Sequence, residues 1–511
     1  SALRLSEKGY KVLVIEKGKW WKPSDFPENN WQLKKWLWEP KFGLKGFFKM
    51  TFLNHVTVLS GVGVGGGSLT YANTLPIPKS AFFKSGTWKD LADWETELKP
   101  HYQEAYRMLG AEVNPSAGPA DKAMKRLAQE IGREDHFEPT KVAVYFGKPG
   151  VTVPDPYFGG KGPDRTGCAL CGECMTGCRH NAKNTLDKNY LYLAQQLGAE
   201  IRAEHEVTDV LPRGAVDGNE GYTVYFKNGR QKGTVTTKGI VFAGGVLGTV
   251  PLLLKLKKRS LPNLSDKVGC RVSTNNEALI NVMTKDDDID NTKGIAIGSI
   301  LHTDENSHLE PVRYGQGSGF FKTMMLPMAH GSNFIVRLFK MIWEIIKAPL
   351  VVSRMMFTKK YSEKSNILLF MQTLNSTIRI KRGMLTPMKT VVESGPKPSA
   401  FIPEAKDLVE KHSKIVNGTP FVSYLETLFG IPTTAHILGG AGMGATKEEG
   451  VINANNEVHG YKNMLVCDGS MISANPGVNP SLSITAISEL AMSKIPAKYV
   501  INPGNHSTID S

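Results

Sequence analysis

The sequence predicts an α/β protein (an α+β composite) whose core is assembled from non-contiguous pieces, with a substrate part inserted between them. Three observations predict this. A buried-strand pattern, Lys11-Val12-Leu13-Val14-Ile15-Glu16, follows a helix-like stretch that stops at Gly9. A second apolar run, Ile240-Val241-Phe242-Ala243, enters the glycine-rich turn Gly244-Gly245 and then a helical pattern. A third, Met464-Leu465-Val466-Cys467, ends in Asp468 and is followed by a proline-started helix at Pro480.

The chain has 511 residues, of which 41% are hydrophobic and 22% charged, a globular composition that excludes a disordered chain. Lys and Arg exceed Asp and Glu by 62 to 48, a surplus of +14. That surplus attracts anions in general. It is spread along the chain without a zinc-finger or RNA-binding signature, so no nucleic-acid partner is expected. No apolar run is long enough to span a bilayer, and no signal peptide opens the sequence. Four of the six cysteines fall within 168–178, which is not the spread of a disulfide framework. A reducing compartment is favoured, and the expected location is cytoplasmic or peripheral to a membrane.

Ser1–Tyr10 reads as a helix docked on the 11–16 strand. Such a helix ordinarily follows another strand, so the sequence is expected to begin inside a pattern that lacks its first strand and glycine fingerprint. In a dinucleotide-binding unit, an acid closing the second strand accepts hydrogen bonds from ribose hydroxyls. Glu16 stands at that place; its alternative is a plain turn residue. Thr223–Phe226 with Asn228-Gly229 predicts a hairpin with a tight turn. The 239–245 strand is expected to return to the same sheet as the 11–16 strand.

Ser60-Gly61-Val62-Gly63-Val64-Gly65-Gly66-Gly67-Ser68 brings bare backbone amides close to a ligand. A flexible linker is the alternative. The apolar β-formers on both sides, Val56–Leu59 and Leu69–Asn73, favour a ligand-covering loop. Two further stretches are amphiphilic. Residues 31–52 interleave Trp31, Trp36, Trp38, Phe42, Phe47 and Phe48 with lysines. Residues 333–348 place Arg337, Lys340, Glu344 and Lys347 on one helical stripe, with apolar residues covering the rest. Ser332 or Asn333 caps this helix and Pro349 ends it. Such a helix suits a membrane surface, or else it is buried in its own domain.

The last eighty or so residues carry most of the chemistry. His436 stands at the edge of the glycine turn Gly439-Gly440-Ala441-Gly442, where an imidazole can reach a substrate. Asn479 is placed as an N-cap before Pro480, and a helix start there favours partial negative charge on a ligand.

Taken together, the histidine–glycine turn, the strand ending in Asp468-Gly469-Ser470 and the Gly477-Val478-Asn479-Pro480 helix start closely resemble the C-terminal signature of the glucose–methanol–choline (GMC) oxidoreductases. The 61–68 glycine loop resembles that family's second flavin motif, and the Glu16 strand the second strand of its FAD-binding sheet. Within the family, His302–Glu305, His308–Gly315 and Cys178–Leu186 resemble bacterial cholesterol oxidases that hold FAD non-covalently. The resemblance implies a Rossmann-like FAD-binding domain from 1–105, 160–275 and 430–511, an inserted antiparallel-sheet substrate domain at 276–429, and a connecting or cap segment at 106–159. It implies FAD contacts from Glu16, Gly61, Gly63, Gly65, Gly66, Gly67, Ser68, Asn73, Val207, Asp468, Gly469, Gly477 and Val478. By the same resemblance His436 and Asn479 orient a sterol hydroxyl beside the flavin. Glu310 is the candidate acid/base for moving a proton in the steroid ring, with Glu305 as its rival. The partners implied are a lipophilic alcohol, with a sterol foremost, and O2 or another electron acceptor, with 31–52 and 333–348 as lid or membrane contacts.

Cys168-x2-Cys171-x2-Cys174-x3-Cys178 matches the spacing of a bacterial iron–sulfur run, but Arg179 stands where that run has Pro. A four-thiolate zinc site is a second reading, and reduced thiols in a glycine-rich turn a third. A bound cluster points to the runner-up function, a flavoprotein dehydrogenase feeding a separate electron carrier. A non-catalytic lipid-binding relative is the remaining alternative, and it leaves the flavin-covering glycines without a use.

Overall fold

The computed structural model describes residues 1–374, 376–383 and 388–498, so the end of the expected 430–511 segment lies outside the described residues. The first helix, Ala2–Glu7, gives way to a turn in which Gly9 takes φ +79°, a conformation that glycine tolerates without strain. Leu13–Ile15 then pairs in parallel with Glu200–Arg202. Ile240–Phe242 pairs in parallel with Met464–Val466. The 239–245 strand, expected in the same sheet as the 11–16 strand, pairs among the described residues with the C-terminal strand. The hairpin forms from Tyr222–Asn228 and Gln231–Thr237. Asn228 pairs with Gln231, so the turn residues are Gly229 and Arg230, with the glycine at φ +57° in the first position.

The inserted part is a seven-stranded antiparallel sheet. Its order is Met325–Pro327, Gly418–Ser423, Ala278–Thr284, Ser365–Gln372, Ser307–Val312, Ser299–His302 and Phe137–Pro139. Alternation along each strand gives the sheet two different faces. Ile280, Leu309, Leu368 and Phe370 point toward Met124 and Leu127 of the Pro119–Glu130 helix and Leu408 and Val409 of the Pro403–Ile415 helix. Leu279, Val312, Ile367 and Leu369 point the other way, into a large cavity. The 106–159 segment, expected as a connecting or cap segment, supplies both an edge strand and a covering helix to this sheet. A buried ion pair secures that helix: Arg313 Nη2 donates to Asp121 Oδ2 at 2.7 Å, and both side chains are 1% exposed. Such a pair specifies register more than it stabilises, but breaking it strands a buried charge.

The 333–348 prediction is met by the helix Phe334–Lys347, with the Asn333 side chain accepting from Val336 N–H at 3.0 Å. Met341 is its one buried residue, which overturns the reading of a helix enclosed in its own domain. A second helix, Pro349–Phe357, continues the exposed apolar surface. The 31–52 segment behaves differently. Trp36, Phe47 and Phe48 are buried with Trp21 and Phe26 in an aromatic cluster, leaving Phe42 and Trp31 exposed. Its aromatics are chiefly core, contrary to the lid reading. No helix among the described residues is long and apolar enough to cross a membrane.

Candidate active site

A cavity of about 2160 Å³ opens between the two parallel strand pairs, the 61–68 loop and the apolar face of the seven-stranded sheet. Its two ends differ in chemistry. One is built of backbone amides, glycines and acids; the other is apolar with a few buried polar groups.

At the first end, Glu16 Oε1 accepts from Gly18 N–H at 2.7 Å and Gly63 N–H at 3.2 Å. Burial pushes its carboxyl pKa up, while those two amides act against the rise. The backbones cross closely here: a Cβ on Gly18 would stand 2.5 Å from Gly63 Cα. Strand Thr57–Gly61 leads into the loop, which tightens into a short helical turn at Gly66–Leu69. Its downstream flank is thus a turn, not the second β-segment that its composition suggested. A Cβ added at Gly66 or Gly67 would meet nothing within 4 Å, so both backbones face open space. Ser68 Oγ locks the turn by donating to Gly65 O at 2.7 Å and accepting from Leu186 N–H at 2.9 Å. Asn73 holds φ +58°, and both polar atoms of its amide are buried without a partner. Buried amides are seldom left unpaired, which marks this as a place for a ligand.

Val207 and Gly469 also line the cavity. Asp468 ties the segments that follow Ile240–Phe242 and Met464–Val466, accepting from Gly245 N–H at 2.9 Å, Thr249 Oγ1 at 2.5 Å and Ser470 N–H at 2.8 Å. Gly477 and Val478 are not on the cavity wall. Gly477, at φ +63°, packs where a Cβ would clash with Thr373, and the Val478 carbonyl accepts from Asn275 Nδ2 at 2.9 Å. The final helix is Ser481–Ser493 with Pro480 at its cap, so the capping expected of Asn479 does not occur. Its side chain is used elsewhere.

At the second end, two acid–partner pairs stand close. His436 Nδ1 lies 3.0 Å from Glu277 Oε2, and Ala435 N–H and His436 N–H donate to Glu277 Oε1 at 3.0 and 3.3 Å. Burial alone pulls the imidazole pKa down; the Glu277 charge, aided by Glu310, outweighs it and sets His436 above the ordinary histidine value. A charged Glu277 favours the proton on Nδ1, so Nε2 is the acceptor whenever the imidazole is neutral. Asn479 Nδ2 donates to Glu310 Oε2 at 3.3 Å. Glu310 is fully buried, whereas Glu305 lies exposed on a turn. Geometry therefore favours Glu310 over its rival. Sequence alone does not single out Glu277: it stands just before the Ala278–Thr284 strand, 159 residues before His436, and nothing in its neighbourhood marks it. Glu426, whose carboxyl burial pushes up to about 8, also lines the cavity and was likewise missed.

The cysteine run packs behind the glycine loop. Lys183, in the same segment, donates from Nζ to Leu69 O at 3.0 Å and Cys174 O at 2.8 Å, and burial pulls its pKa down to about 7. The four thiols border a cavity of about 20 Å³, room for one water rather than a four-iron cluster. Burial pushes the Cys168, Cys171 and Cys174 thiols up to about 12. The tightest metal-capable set among the described residues is Cys171, Glu173 and His180, with ligand atoms within 4.8 Å, not four sulfurs. Glu173 is already engaged by Arg179 at 2.7 Å. The iron–sulfur and four-thiolate zinc readings gain no support, and reduced thiols in a glycine turn account for the segment.

A cavity this large, edged by open glycines, a strand-end acid and an unpaired asparagine, fits a dinucleotide whose reactive ring reaches the His436 and Asn479 end. The GMC oxidoreductase family model matches residues 385–488. The chain belongs to the GMC oxidoreductases, the FAD-dependent alcohol oxidoreductases of this fold. It is 45% identical to a cholesterol oxidase of Acinetobacter baumannii, over 98% of this chain and 93% of that one. It is 42% identical to a cholesterol oxidase of Mycobacterium tuberculosis, over 98% of this chain and 89% of that one. Among solved structures, pyridoxine 4-oxidase from Mesorbium loti superposes with a TM-score of 0.59 at 12% identity, covering 96% of each chain. That likeness bears on the fold alone.

Proposed function

We propose that the protein oxidises the hydroxyl of a bulky lipophilic secondary alcohol, a 3β-hydroxysterol such as cholesterol, to the ketone, with O2 as the final acceptor. FAD, when bound, supplies the two-electron acceptor at the carbinol carbon. The observation that carries the reading is the pairing of His436–Glu277 with Asn479–Glu310 at the apolar end of the cavity. The relatives named cholesterol oxidase support the sterol.

His436 Nε2 takes the hydroxyl proton, and the Glu277 charge favours the imidazolium that results. Asn479 fixes the hydroxyl in register with the reacting carbon, so that positioning supplies much of the acceleration. Leu279, Val312, Ile367 and Leu369 exclude water and cover a rigid apolar body. Glu310 then takes a proton from the ring carbon beside the new ketone and returns it further along, moving the double bond into conjugation. The helices Phe334–Lys347 and Pro349–Phe357 rest on a membrane surface: Phe339, Ile346, Leu350 and Phe357 are 62–83% exposed, beside Lys340, Lys347 and Arg354.

The test is product analysis of the FAD-loaded enzyme given cholesterol in air. Ketone and peroxide in equal amounts support the reading; Glu310→Gln should still form ketone but accumulate the unconjugated isomer. No ketone from the parent enzyme would overturn it.

A further inference from the structure

Glu310 is fully buried but not isolated. Its Oε1 lies 3.6 Å from His308 Nε2, two residues back on the same strand and on the same face. Both atoms are buried and neither has a hydrogen-bond partner. His308 is cross-strand neighbour to His302, and the two rings stand 6.0 Å apart at 56°. Across the next ladder, His302 Nε2 lies 3.5 Å from Glu138 Oε1, on a side chain that is 65% exposed. The four side chains step across three adjacent strands, from beside the cavity-lining Asn479 to the sheet edge.

We propose that Glu310, His308, His302 and Glu138 form a proton relay that lets the buried carboxyl exchange its proton with solvent during turnover. The proposal rests on the reading of Glu310 as the ring acid/base. The transfer balances without any further reactant. The Glu310 carboxylate takes a proton from the substrate; the acid passes it from Oε1 to His308 Nε2; His308 gives a proton to His302, across one hydrogen-bonded water or a ring rotation; His302 releases one to Glu138 and bulk water. Outward passage leaves Glu310 as the carboxylate; the reverse passage returns a solvent proton to it, and giving that proton to the receiving ring carbon restores the carboxylate.

Three physical points support this. An isolated buried carboxyl exchanges slowly, because its charged form must wait for a partner. Imidazole both accepts and donates near neutral pH, so a histidine pair is the side-chain chemistry best suited to relay. Burial, His308 and Lys79 all hold the His302 pKa down, Glu138 opposing them, so His302 rests neutral and carries charge only in passage. The other groups around it engage backbone: Lys79 Nζ donates to the carbonyls of Asp304 and Glu305, and Arg133 Nε to that of His302. His308 and His302 touch neither substrate nor cofactor; they act through Glu310.

The experiment is turnover of cholesterol by the FAD-loaded enzyme in D2O, reading the fraction of conjugated ketone that carries deuterium at the position receiving the proton. The parent should incorporate solvent deuterium. His302→Ala should lower that fraction several-fold with ketone formation retained, and added imidazole should raise it again in proportion to its concentration. The same deuterium fraction in His302→Ala and parent, or a lowered one that imidazole does not restore, overturns the relay. So does a parent that incorporates none. If Glu310→Gln still makes the conjugated product, the reading of Glu310 itself is what fails.

Discussion

Asn479 Nδ2 reaches Glu310 Oε2 across 3.3 Å, while Asn479 Oδ1 and Glu310 Oε1 remain buried with no hydrogen-bond partner. An unpaired buried acceptor costs on the order of 1–3 kcal/mol. Asn479 Oδ1, on the cavity wall, is tolerated where a ligand satisfies it, while Glu310 Oε1 faces His308 Nε2 at 3.6 Å. Asn479→Ala should therefore retain FAD and fold while kcat on cholesterol falls on the order of 10²–10³-fold, the usual cost of one positioned hydrogen-bonding group. Steady-state kinetics on the FAD-loaded variant check this; a kcat within a factor of about three of the parent contradicts it.

The pH profile should report the His436–Glu277 pair. Below its pKa the imidazole is already protonated and cannot take the hydroxyl proton, so activity falls on the acid side. Burial lowers that pKa and the Glu277 charge raises it above the ordinary value. Glu277→Gln removes the raising charge, so His436 should titrate lower and the acid limb of kcat/KM should move to lower pH. Turnover on the plateau should also drop, since a weaker base is less well matched to the task. An acid limb that stays in place would falsify the assignment of His436 as the group that titrates.

The cofactor end makes a steric prediction. Gly67 adopts no left-handed conformation, and a Cβ there would meet nothing within 4 Å. Gly67→Val should thus fold normally yet project into the cavity, weakening FAD about tenfold or more, or at least 1.4 kcal/mol. Thermal unfolding of the apoprotein and titration with FAD separate the two effects. Unchanged FAD affinity would mean that the loop does not cover the cofactor.

Several of these features were legible in the sequence because they are local. The Phe334–Lys347 helix follows from its 3.6-residue pattern and its Asn333 cap, the 61–68 loop from its glycines, and His436 from its place beside a glycine turn. What could not be read is what folding brings together over long separations. Glu277 reaches His436 only because the substrate sheet docks against the C-terminal turn. The Pro119–Glu130 helix and the Phe137–Pro139 strand join that sheet through contacts no periodicity announces. Asn479 has the composition of a cap and a different partner, since a buried carboxylate competes successfully for its amide. The cysteine spacing misled for a related reason: a ligand run needs room at its centre, and packing leaves about 20 Å³.

The membrane-facing helices can be tested apart from the chemistry. Phe339 and Ile346 are 69% and 62% exposed, and neither lines the cavity. Phe339→Glu with Ile346→Glu should reduce sedimentation with cholesterol-containing vesicles and slow oxidation of vesicle cholesterol. Oxidation of detergent-solubilised cholesterol should be unchanged. Equal vesicle binding by parent and variant would remove these helices from the account.

The most direct measurement mixes the FAD-loaded enzyme with cholesterol in the absence of oxygen and follows the oxidised-flavin absorbance. The parent should bleach within turnover time, and His436→Ala, with FAD still bound, should bleach slower by on the order of 10²–10⁴-fold. A parent that does not bleach, or a His436→Ala variant that bleaches as fast as the parent, contradicts the account.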